Sequence, residues 1–428
     1  MKKSTLAVFL FLLLFSSSNA QGIATKLLSA APETAGFMPD RLSRIDGNIQ
    51  EWIKEGKLNG AVALIAHNGK IVYHKGFGFD DPAKTKAIRT DAIYRIASQT
   101  KAITSVAVMM LYEEGKFLLD DPISRYIPEF AKPTVLDKFN EADSSYTSVP
   151  AKSEVTIRQL LTHTSGIGYA QIGSKESNAI YAKAGITAGI GVENGRLLAT
   201  DMKKLGKLPL MHQPGERFTY GLNTDLLGYL VEVISGMSLD AFFRTRIFDP
   251  LGMKDTYFYV PKEKRHRVVN IYTEEEGKLQ LAPSPIKVNG VFITDYPKEE
   301  GTYYSGGAGL SSTALDYAIF LQMMLNNGTY NGKRILSRNT VRMMTMNQIG
   351  DLNMGINKFG LGFGITTEKG SSIIPTPQGV FDWGGAFSTT YWADPKEKVV
   401  GILFRQLWRT SHGEAATKYK VLVYQALE

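Results

Sequence analysis

The chain has 428 residues, a net charge of +8 and no cysteine, and its length suffices for one large domain or two intermingled domains. The lack of cysteine excludes disulfides, a thiol nucleophile and lipid attachment at a processed cysteine. Basic residues are spread along the chain, so the charge indicates solubility and argues against a nucleic-acid partner.

The N-terminus has the pattern of a secretory signal peptide. Met1-Lys2-Lys3 is basic, Leu6 to Phe15 is apolar, and small residues end the segment at Ala20. An apolar run this short does not span a membrane. We therefore predict that residues 1–20 direct export to the periplasm or the medium, and that the remaining chain is not stably inserted in a membrane.

A helix and a hairpin are the first elements predicted after this segment. Between Pro39 and Gly56, apolar residues recur at spacings of three and four, which predicts a surface helix with one buried face. These apolar residues are Leu42, Ile45, Ile49 and Ile53. Asn68-Gly69 separates two β-prone runs, and both residues tolerate the positive φ of a type I′ turn. The runs 61–66 and 71–74 are therefore predicted to pair as a hairpin.

Similar strand patterns return only near the C-terminus, at 389–393 and 399–404. Helical patterns lie between them and the hairpin, at 102–114, 226–235 and 314–325, and a last helix is predicted over 413–427. We predict an α/β fold of the α+β type, in which an antiparallel sheet built from both chain ends is flanked by helices and carries a mostly helical insertion. Residues 21–428 would form one domain, with the sheet at about 35–95 and 300–428 and the helical part at about 96–299.

The most informative motif is the tetrapeptide Ser98-Gln99-Thr100-Lys101 at the start of the 102–114 helix. A helix has about 3.6 residues per turn, so the serine hydroxyl and the lysine amine point to the same side. A lysine placed in this way removes the serine proton without a histidine. Near neutral pH this role requires a lowered lysine pKa, which a partly buried cleft favours.

Ser-x-x-Lys alone is a weak motif. A second copy, Ser284 to Lys287, lies between prolines without helical periodicity, so nothing there holds the lysine beside the serine. The structural alternative for the first copy is that Ser98 caps the helix and Lys101 is solvated.

Two downstream segments favour a catalytic interpretation. Pro214 to Tyr220 leads into the 226–235 helix, and a tyrosine on such a loop can act as a second proton carrier. Asp382-Trp383-Gly384-Gly385-Ala386 precedes the 389–393 strand, and its glycines let a ligand approach the backbone. The N–H groups of Ala386 and Ser98 would form a two-donor oxyanion hole.

Together these segments resemble the serine β-lactamase and penicillin-binding protein superfamily, and most closely class C β-lactamases and family VIII carboxylesterases. The resemblance covers about residues 35–425 and follows the order of five motifs. They are Ser98 to Lys101, Leu160 to Gly166, Pro214-Gly215 with Tyr220, Gly306 to Leu310 with Ser312-Thr313, and Trp383 to Gly385.

The resemblance implies a β-lactamase/transpeptidase-like fold and three catalytic residues. Ser98 would be the acylated nucleophile and Lys101 its base partner. Tyr220 would pass a proton to the leaving group and activate water in deacylation. His163 would stabilise a loop rather than act as a base.

The sequence departs from the family pattern at two places in the expected substrate-binding set, which is Trp383, Gly384, Gly385 and Asn223. The Tyr-x-Asn signature reads Tyr220-Gly221-Leu222, and the asparagine follows one position late at Asn223, where we expect it to cap the next helix. The Lys-Thr-Gly motif is replaced by Trp383-Gly384-Gly385, which removes a cation for substrate carboxylates. A strand-packing role for Trp383 is the structural alternative.

We therefore predict a serine hydrolase that forms an acyl-enzyme on small short-chain esters. The alternatives are a β-lactamase or D-alanyl-D-alanine peptidase, and a non-catalytic penicillin-binding-like sensor. The partner is a small-molecule ester or amide, and the sequence does not predict an oligomeric state. The six histidines lack metal-ligand spacing, so we expect neither a metal nor a cofactor.

Overall fold

The computed structural model describes residues 26–287 and 291–428. The segment predicted to be a signal peptide lies outside these residues. Helices of the described chain are α1 (Pro39–Lys54), α2 (Thr100–Glu113), α3 (Ile157–Leu161), α4 (Lys175–Lys183), α5 (Leu198–Leu205), α6 (Asn223–Ser235), α7 (Leu239–Phe243), α8 (Asp249–Leu251), α9 (Ala314–Leu325), α10 (Arg338–Met344), α11 (Glu368–Ser371) and α12 (Glu414–Tyr424).

The described residues form one eight-stranded sheet and several short strand pairs. The strands of the large sheet are β1 (Leu28–Ser29), β2 (Gly60–His67), β3 (Lys70–Gly78), β4 (Lys358–Phe359), β5 (Gly364–Ile365), β6 (Phe381–Gly384), β7 (Thr390–Asp394) and β8 (Val399–Phe404). Their order is β1-β3-β2-β8-β7-β6-β5-β4. All neighbours are antiparallel except β1 and β3.

The predicted sheet from both chain ends is confirmed, because β8 pairs with β2 along its length, from Val399 opposite His67 to Phe404 opposite Val62. The predicted hairpin is also confirmed: Asn68 and Gly69 join β2 to β3 with φ values of 50° and 75°.

The sheet is covered on both faces. Val62, Leu64 and Ala66 of β2 belong to the core that contains α2 and α9, and the alternate residues of the strand belong to a second core with α1 and α12. A strand buried on both faces must be apolar throughout, which explains its continuous apolar run. In α1 the fourth buried position is Trp52 and not Ile53 as predicted.

The helical part lies between β3 and β4 and is interrupted by short strand pairs. The longest is a hairpin of Thr134–Asn140 and Ser145–Pro150. Three short strands, Tyr272–Glu275, Lys278–Leu281 and Leu407–Trp408, form another sheet. Tyr94–Arg95 pairs with Ser311–Ser312 and places the start of α2 beside the glycine run at 306–309.

No single helix of the described chain is both long and apolar enough to cross a membrane. Two consecutive segments, Asn223–Ser235 and Leu239–Leu251, meet the length and composition test together but are bent by 80°.

Candidate active site

Ser98 lies in a single 3₁₀ turn, Ala97–Gln99, directly before α2. The preceding Ala97 has a φ of +44°, a left-handed conformation that is costly for a residue with a side chain. Ser98 is half-buried and lines a cavity of about 500 Å³. Its side chain caps neither helix, because the N-cap positions are Ile96 and Gln99. The capping alternative is therefore wrong.

Lys101 is almost fully buried, so the alternative prediction that its side chain is solvated is also wrong. Its Nζ lies 3.4 Å from Ser98 Oγ, 3.4 Å from the Tyr169 hydroxyl and 2.7 Å from the Gly307 carbonyl oxygen. It also lies 4.7 Å from the centre of the Tyr220 ring. The amine therefore has one strong acceptor and is in reach of the serine oxygen.

The electrostatic surroundings of Lys101 differ from our expectation of a lowered pKa. Burial lowers the pKa of the amine, but electrostatic interactions with Tyr169, Tyr220 and Asp225 raise it by more, and the net pKa lies above its ordinary value. Lys101 is therefore a cation in the resting protein. As a cation it stabilises negative charge on Ser98 Oγ.

Tyr220 lies on the loop before α6, as predicted, and lines the same cavity as Ser98. Its hydroxyl accepts a hydrogen bond from Trp383 Nε1 at 3.4 Å. Its ring stacks on Tyr169, with centroids 5.7 Å apart and an interplanar angle of 27°. His163 packs on another side at 4.7 Å.

His163 supports the loop that carries Tyr220. It is buried, and its Nδ1 accepts the Gly221 N–H at 3.4 Å and the Asn223 Nδ2–H at 3.0 Å. Burial, together with the charge of Lys101, lowers its pKa well below the ordinary value, so the imidazole is neutral. These contacts correspond to the loop-stabilising role expected from the sequence.

Asn223 does not lie where the sequence analysis placed it. It is the first residue of α6 and not its cap, which is Leu222, so the capping prediction is wrong. Its side chain is fully buried, accepts from the Ser165 hydroxyl and donates to His163. The hydrogen bonds of the carboxamide are thus made within the protein, to Ser165 and His163. Asn223 does not line the Ser98 cavity, which contradicts the expected substrate contact.

Trp383 and Gly384 end β6, Gly385 follows the strand, and all three line the Ser98 cavity. Beyond its hydrogen bond to Tyr220, Trp383 packs edge-on against Phe359 at 5.2 Å. A Cβ at Gly385 would lie 2.4 Å from the Ile96 carbonyl oxygen, so only glycine lets this turn approach the Ser98 segment. Ala386 is exposed, and within the described residues its N–H makes no hydrogen bond.

Sequence analysis missed Tyr169 and Asp225. Tyr169 follows the 160–166 motif by three residues, and no spacing rule marks it as a neighbour of Lys101. It borders a second cavity of about 670 Å³, which shares Tyr220 with the first. Within residues 26–287 and 291–428, no three His, Asp or Glu side chains gather in a group able to hold a metal ion.

The order of the sheet, the Ser98–Lys101 pair and the Tyr220 loop define the class of protein. The chain belongs to the β-lactamase family, whose model, described as Beta-lactamase, matches residues 45–425.

Similar proteins cover nearly the whole chain. An uncharacterised protein of Mycobacterium tuberculosis (strain CDC 1551 / Oshkosh) is 33% identical over 373 residues, covering 83% of this chain and 88% of that protein. The esterase EstB of Burkholderia gladioli is 28% identical, covering 90% and 95% respectively. The solved structure of EstCE1, described as a hydrolase with promiscuous acyltransferase activity, has a TM-score of 0.78 at 24% identity, covering 90% and 99%, and shows the same fold.

Proposed function

We propose that this protein is a serine hydrolase that cleaves small short-chain esters through an acyl-enzyme on Ser98. The observation that carries the proposal is the position of Lys101 Nζ, 3.4 Å from Ser98 Oγ, since Ser98 lines a cavity together with Tyr220 and Trp383. The similarity to EstB, a protein named an esterase, supports the choice of ester substrates.

In the first half of the reaction, Ser98 Oγ attacks the ester carbonyl carbon. The carbonyl oxygen becomes an oxyanion that accepts the N–H groups of Ser98 and Ala386. The carbon–oxygen bond to the alcohol then breaks, and the alcohol leaves with the proton that Ser98 gave up. In the second half, water attacks the acyl-enzyme, releases the acid and returns a proton to Ser98 Oγ.

Lys101 and Tyr220 carry the proton in this scheme. Because Lys101 is cationic at rest, it must lose a proton before it can accept the proton of Ser98 Oγ. The acidic limb of the rate profile therefore reports the ionisation of Lys101.

The walls of the cavity favour uncharged esters. Trp383 offers an apolar face where a carboxylate-binding family member would have a cation. Lys420 of α12 also lines the cavity, but its Nζ is 2.9 Å from Asp382 Oδ2 and is paired there. A substrate carboxylate would have to compete with this ion pair.

Turnover of p-nitrophenyl acetate and butyrate, with nitrocefin alongside, tests the proposal. We expect ester hydrolysis with little nitrocefin cleavage, and loss of ester hydrolysis in Ser98→Ala at an unchanged melting temperature. Ser284→Ala removes the exposed serine of the second Ser-x-x-Lys copy and should keep wild-type turnover. Near-wild-type activity of Ser98→Ala would refute the assignment.

A β-lactamase or D-alanyl-D-alanine peptidase is the second candidate, favoured by Lys420, a cation in the cavity that a substrate carboxylate would share with Asp382. Strong nitrocefin hydrolysis by the wild type would support it over the esterase. We expect Trp383→Lys to gain activity on carboxylated substrates, because the new cation lies on the cavity wall. If a fluorophosphonate fails to label Ser98, the third alternative, a sensor without turnover, would be favoured.

We also propose that the protein is exported, which rests on the basic and apolar pattern of residues 1–20. The mass of the protein recovered from periplasmic and medium fractions tests this. A mature chain that begins at Gln21 is expected, and an unprocessed chain confined to the cytoplasm would contradict export.

A further inference from the structure

A buried carboxylate, Asp225, lies behind the Ser98–Lys101 pair and has no part in the steps above. It is on α6, five residues after Tyr220, and is fully buried. Its Oδ1 accepts the Ser305 hydroxyl at 2.5 Å and the Gly307 N–H at 3.3 Å. Among the described residues, its Oδ2 has no hydrogen-bond partner. Such a group is costly for stability unless a nearby positive charge compensates it.

The backbone segment that Asp225 holds also contacts α2. The Gly307 carbonyl accepts Lys101 Nζ at 2.7 Å, and the Gly306 carbonyl accepts the Thr104 hydroxyl at 2.6 Å. Gly307 therefore presents its N–H to Asp225 and its carbonyl to Lys101. One peptide segment connects the buried carboxylate to the ammonium group beside Ser98.

This arrangement explains why residues 306 and 307 are both glycine. A Cβ at Gly307 would lie 2.2 Å from Asp225 Oδ2, and a Cβ at Gly306 would lie 2.6 Å from the Thr224 carbonyl oxygen. The Thr224 backbone and the buried Asp225 carboxylate cannot move away easily, because the protein interior is closely packed. Because residues 306 and 307 have no side chains, a single peptide segment fits between the Asp225 carboxylate and Lys101.

The charges around the pair are few. Lys101 faces Tyr169 and Tyr220 besides Asp225, and its own charge acts on His163. Asp225 faces Lys101 and, further away, Asp201. Burial raises the pKa of Asp225, and Lys101 opposes this rise. Since His163 is neutral, Asp225 is the carboxylic acid among these neighbours whose ionised form can balance the charge of Lys101.

We propose that Asp225 is a positioning residue for the hydrolase reaction. Through Ser305 and Gly307 it orients the carbonyl that receives the Lys101 ammonium group, and its carboxylate supplies the buried negative charge that balances this group beside Ser98. The inference rests on the proposed function, because it concerns the same Ser98–Lys101 pair.

The test is the pH profile of kcat/KM for p-nitrophenyl butyrate in Asp225→Asn. The variant keeps the shape and the acceptor Oδ1 but removes the charge. The negative charge of Asp225 favours the protonated state of Lys101, so its removal moves the acidic limb to lower pH, by about 1 unit. The plateau kcat should fall about 10-fold, because the carbonyl that holds Lys101 is less firmly placed. If Asp225→Asn folds and the acidic limb of its pH profile stays at the wild-type position, the inference is overturned.

Two controls separate positioning from a loss of stability. Asp394→Asn removes another fully buried carboxylate, which bonds Tyr424 and turn N–H groups, and should leave the limb in place. Ser305→Ala keeps the charge and removes one hydrogen bond to it, so kcat should fall with the limb unmoved. If Asp225→Asn does not fold, a wild-type kcat in Ser305→Ala overturns the inference.

The failure of the proposed function looks different. In that case the wild type neither hydrolyses the esters nor reacts with a fluorophosphonate. A wild type that does both, combined with an unmoved limb in Asp225→Asn, contradicts only the role of Asp225.

Discussion

Tyr220 is held by contacts from three different parts of the chain. Trp383 of β6 donates to its hydroxyl, Tyr169 stacks on its ring, and His163 packs against it from below. His163 is itself fixed by Asn223, which belongs to the helix that follows Tyr220. A phenol fixed in this way keeps its oxygen in the Ser98 cavity without a rearrangement when substrate binds.

Replacing Trp383 with phenylalanine tests the hydrogen bond to Tyr220. The ring and its packing on Phe359 are kept, while the indole N–H is lost. We expect kcat/KM for p-nitrophenyl butyrate to fall about 10-fold, the equivalent of one hydrogen bond. Trp408→Phe is the matched control, because the indole nitrogen of Trp408 has no partner among the described residues. An unaffected Trp383→Phe would show that Tyr220 does not depend on this contact.

Replacing Asn223 with leucine tests its structural role. The change leaves His163 Nδ1 without one donor and the Ser165 hydroxyl without its acceptor in a buried site. We expect a loss of about 2 kcal/mol in the free energy of unfolding. In the fraction that remains folded, KM should stay close to wild type. A raised KM at unchanged stability would restore Asn223 to the substrate-binding set.

At the scale of elements, strand β8 fits against its neighbour through one glycine. Gly401 lies opposite Trp392 of β7. A Cβ at Gly401 would come within 2.2 Å of the indole ring. The large aromatic thus occupies the space that a side chain on the facing residue would need. This pair connects the sheet to α12, since Trp392 also packs against Tyr419.

Two glycine-to-alanine variants should change stability in opposite directions. Gly401→Ala overpacks the Trp392 site, and we expect a loss of about 1–3 kcal/mol in thermal or urea unfolding. Gly47→Ala lies on the exposed side of α1 with no atom within 4 Å of the added Cβ, so alanine should stabilise by about 0.5–1 kcal/mol. If Gly401→Ala changed the free energy of unfolding no differently from Gly47→Ala, the Trp392 ring would have moved aside to accept the new methyl group.

At the scale of the whole molecule, the site joins the sheet to the helical part, and two buried histidines lie at this junction. Both are buried: His163 packs against Tyr220, and His212 Nε2 lies 2.8 Å from Thr219 Oγ1. Burial lowers the pKa of both, with the charge of Lys101 adding to the effect at His163. Protonation is therefore unfavourable in the folded state.

Stability should decrease as the pH falls from 7.5 to 6. The unfolded chain takes up protons on these histidines near pH 6.5, while the folded protein resists this uptake. A histidine that stays neutral throughout, as His163 does, costs about 0.8 kcal/mol over this range, and His212 costs less. From the lower end of this window downward, Asp316 opposes the effect, because burial raises its pKa to about 6 and the folded state binds that proton first. Urea unfolding at the two pH values measures the difference.

The matched variants for this prediction are His212→Gln and His266→Gln. The first removes a buried imidazole with a lowered pKa and should reduce the pH difference. The second removes an imidazole that is exposed on a 3₁₀ turn and should leave the difference unchanged. A pH difference that persists in full in His212→Gln would show that another group causes it.

Local patterns in the sequence determined the elements and the main catalytic candidates. Apolar periodicity identified α9 over the residues it has, and Asn68-Gly69 identified the hairpin, because these signals depend on residues a few positions apart. The spacing of Ser98 and Lys101 within a helical turn brought their side chains together for the same reason.

Only the tertiary structure decided the charge state of Lys101, the burial of Asn223 and the positions of Tyr169 and Asp225. Tyr169 meets Lys101 across a separation of 68 residues, and Gly307 meets it across 206. Such contacts depend on how distant elements pack, and pKa values depend on the sum of all nearby charges and on burial. The sequence therefore determined which residues are chemically competent, and packing determined which of them share a site and in what ionisation state.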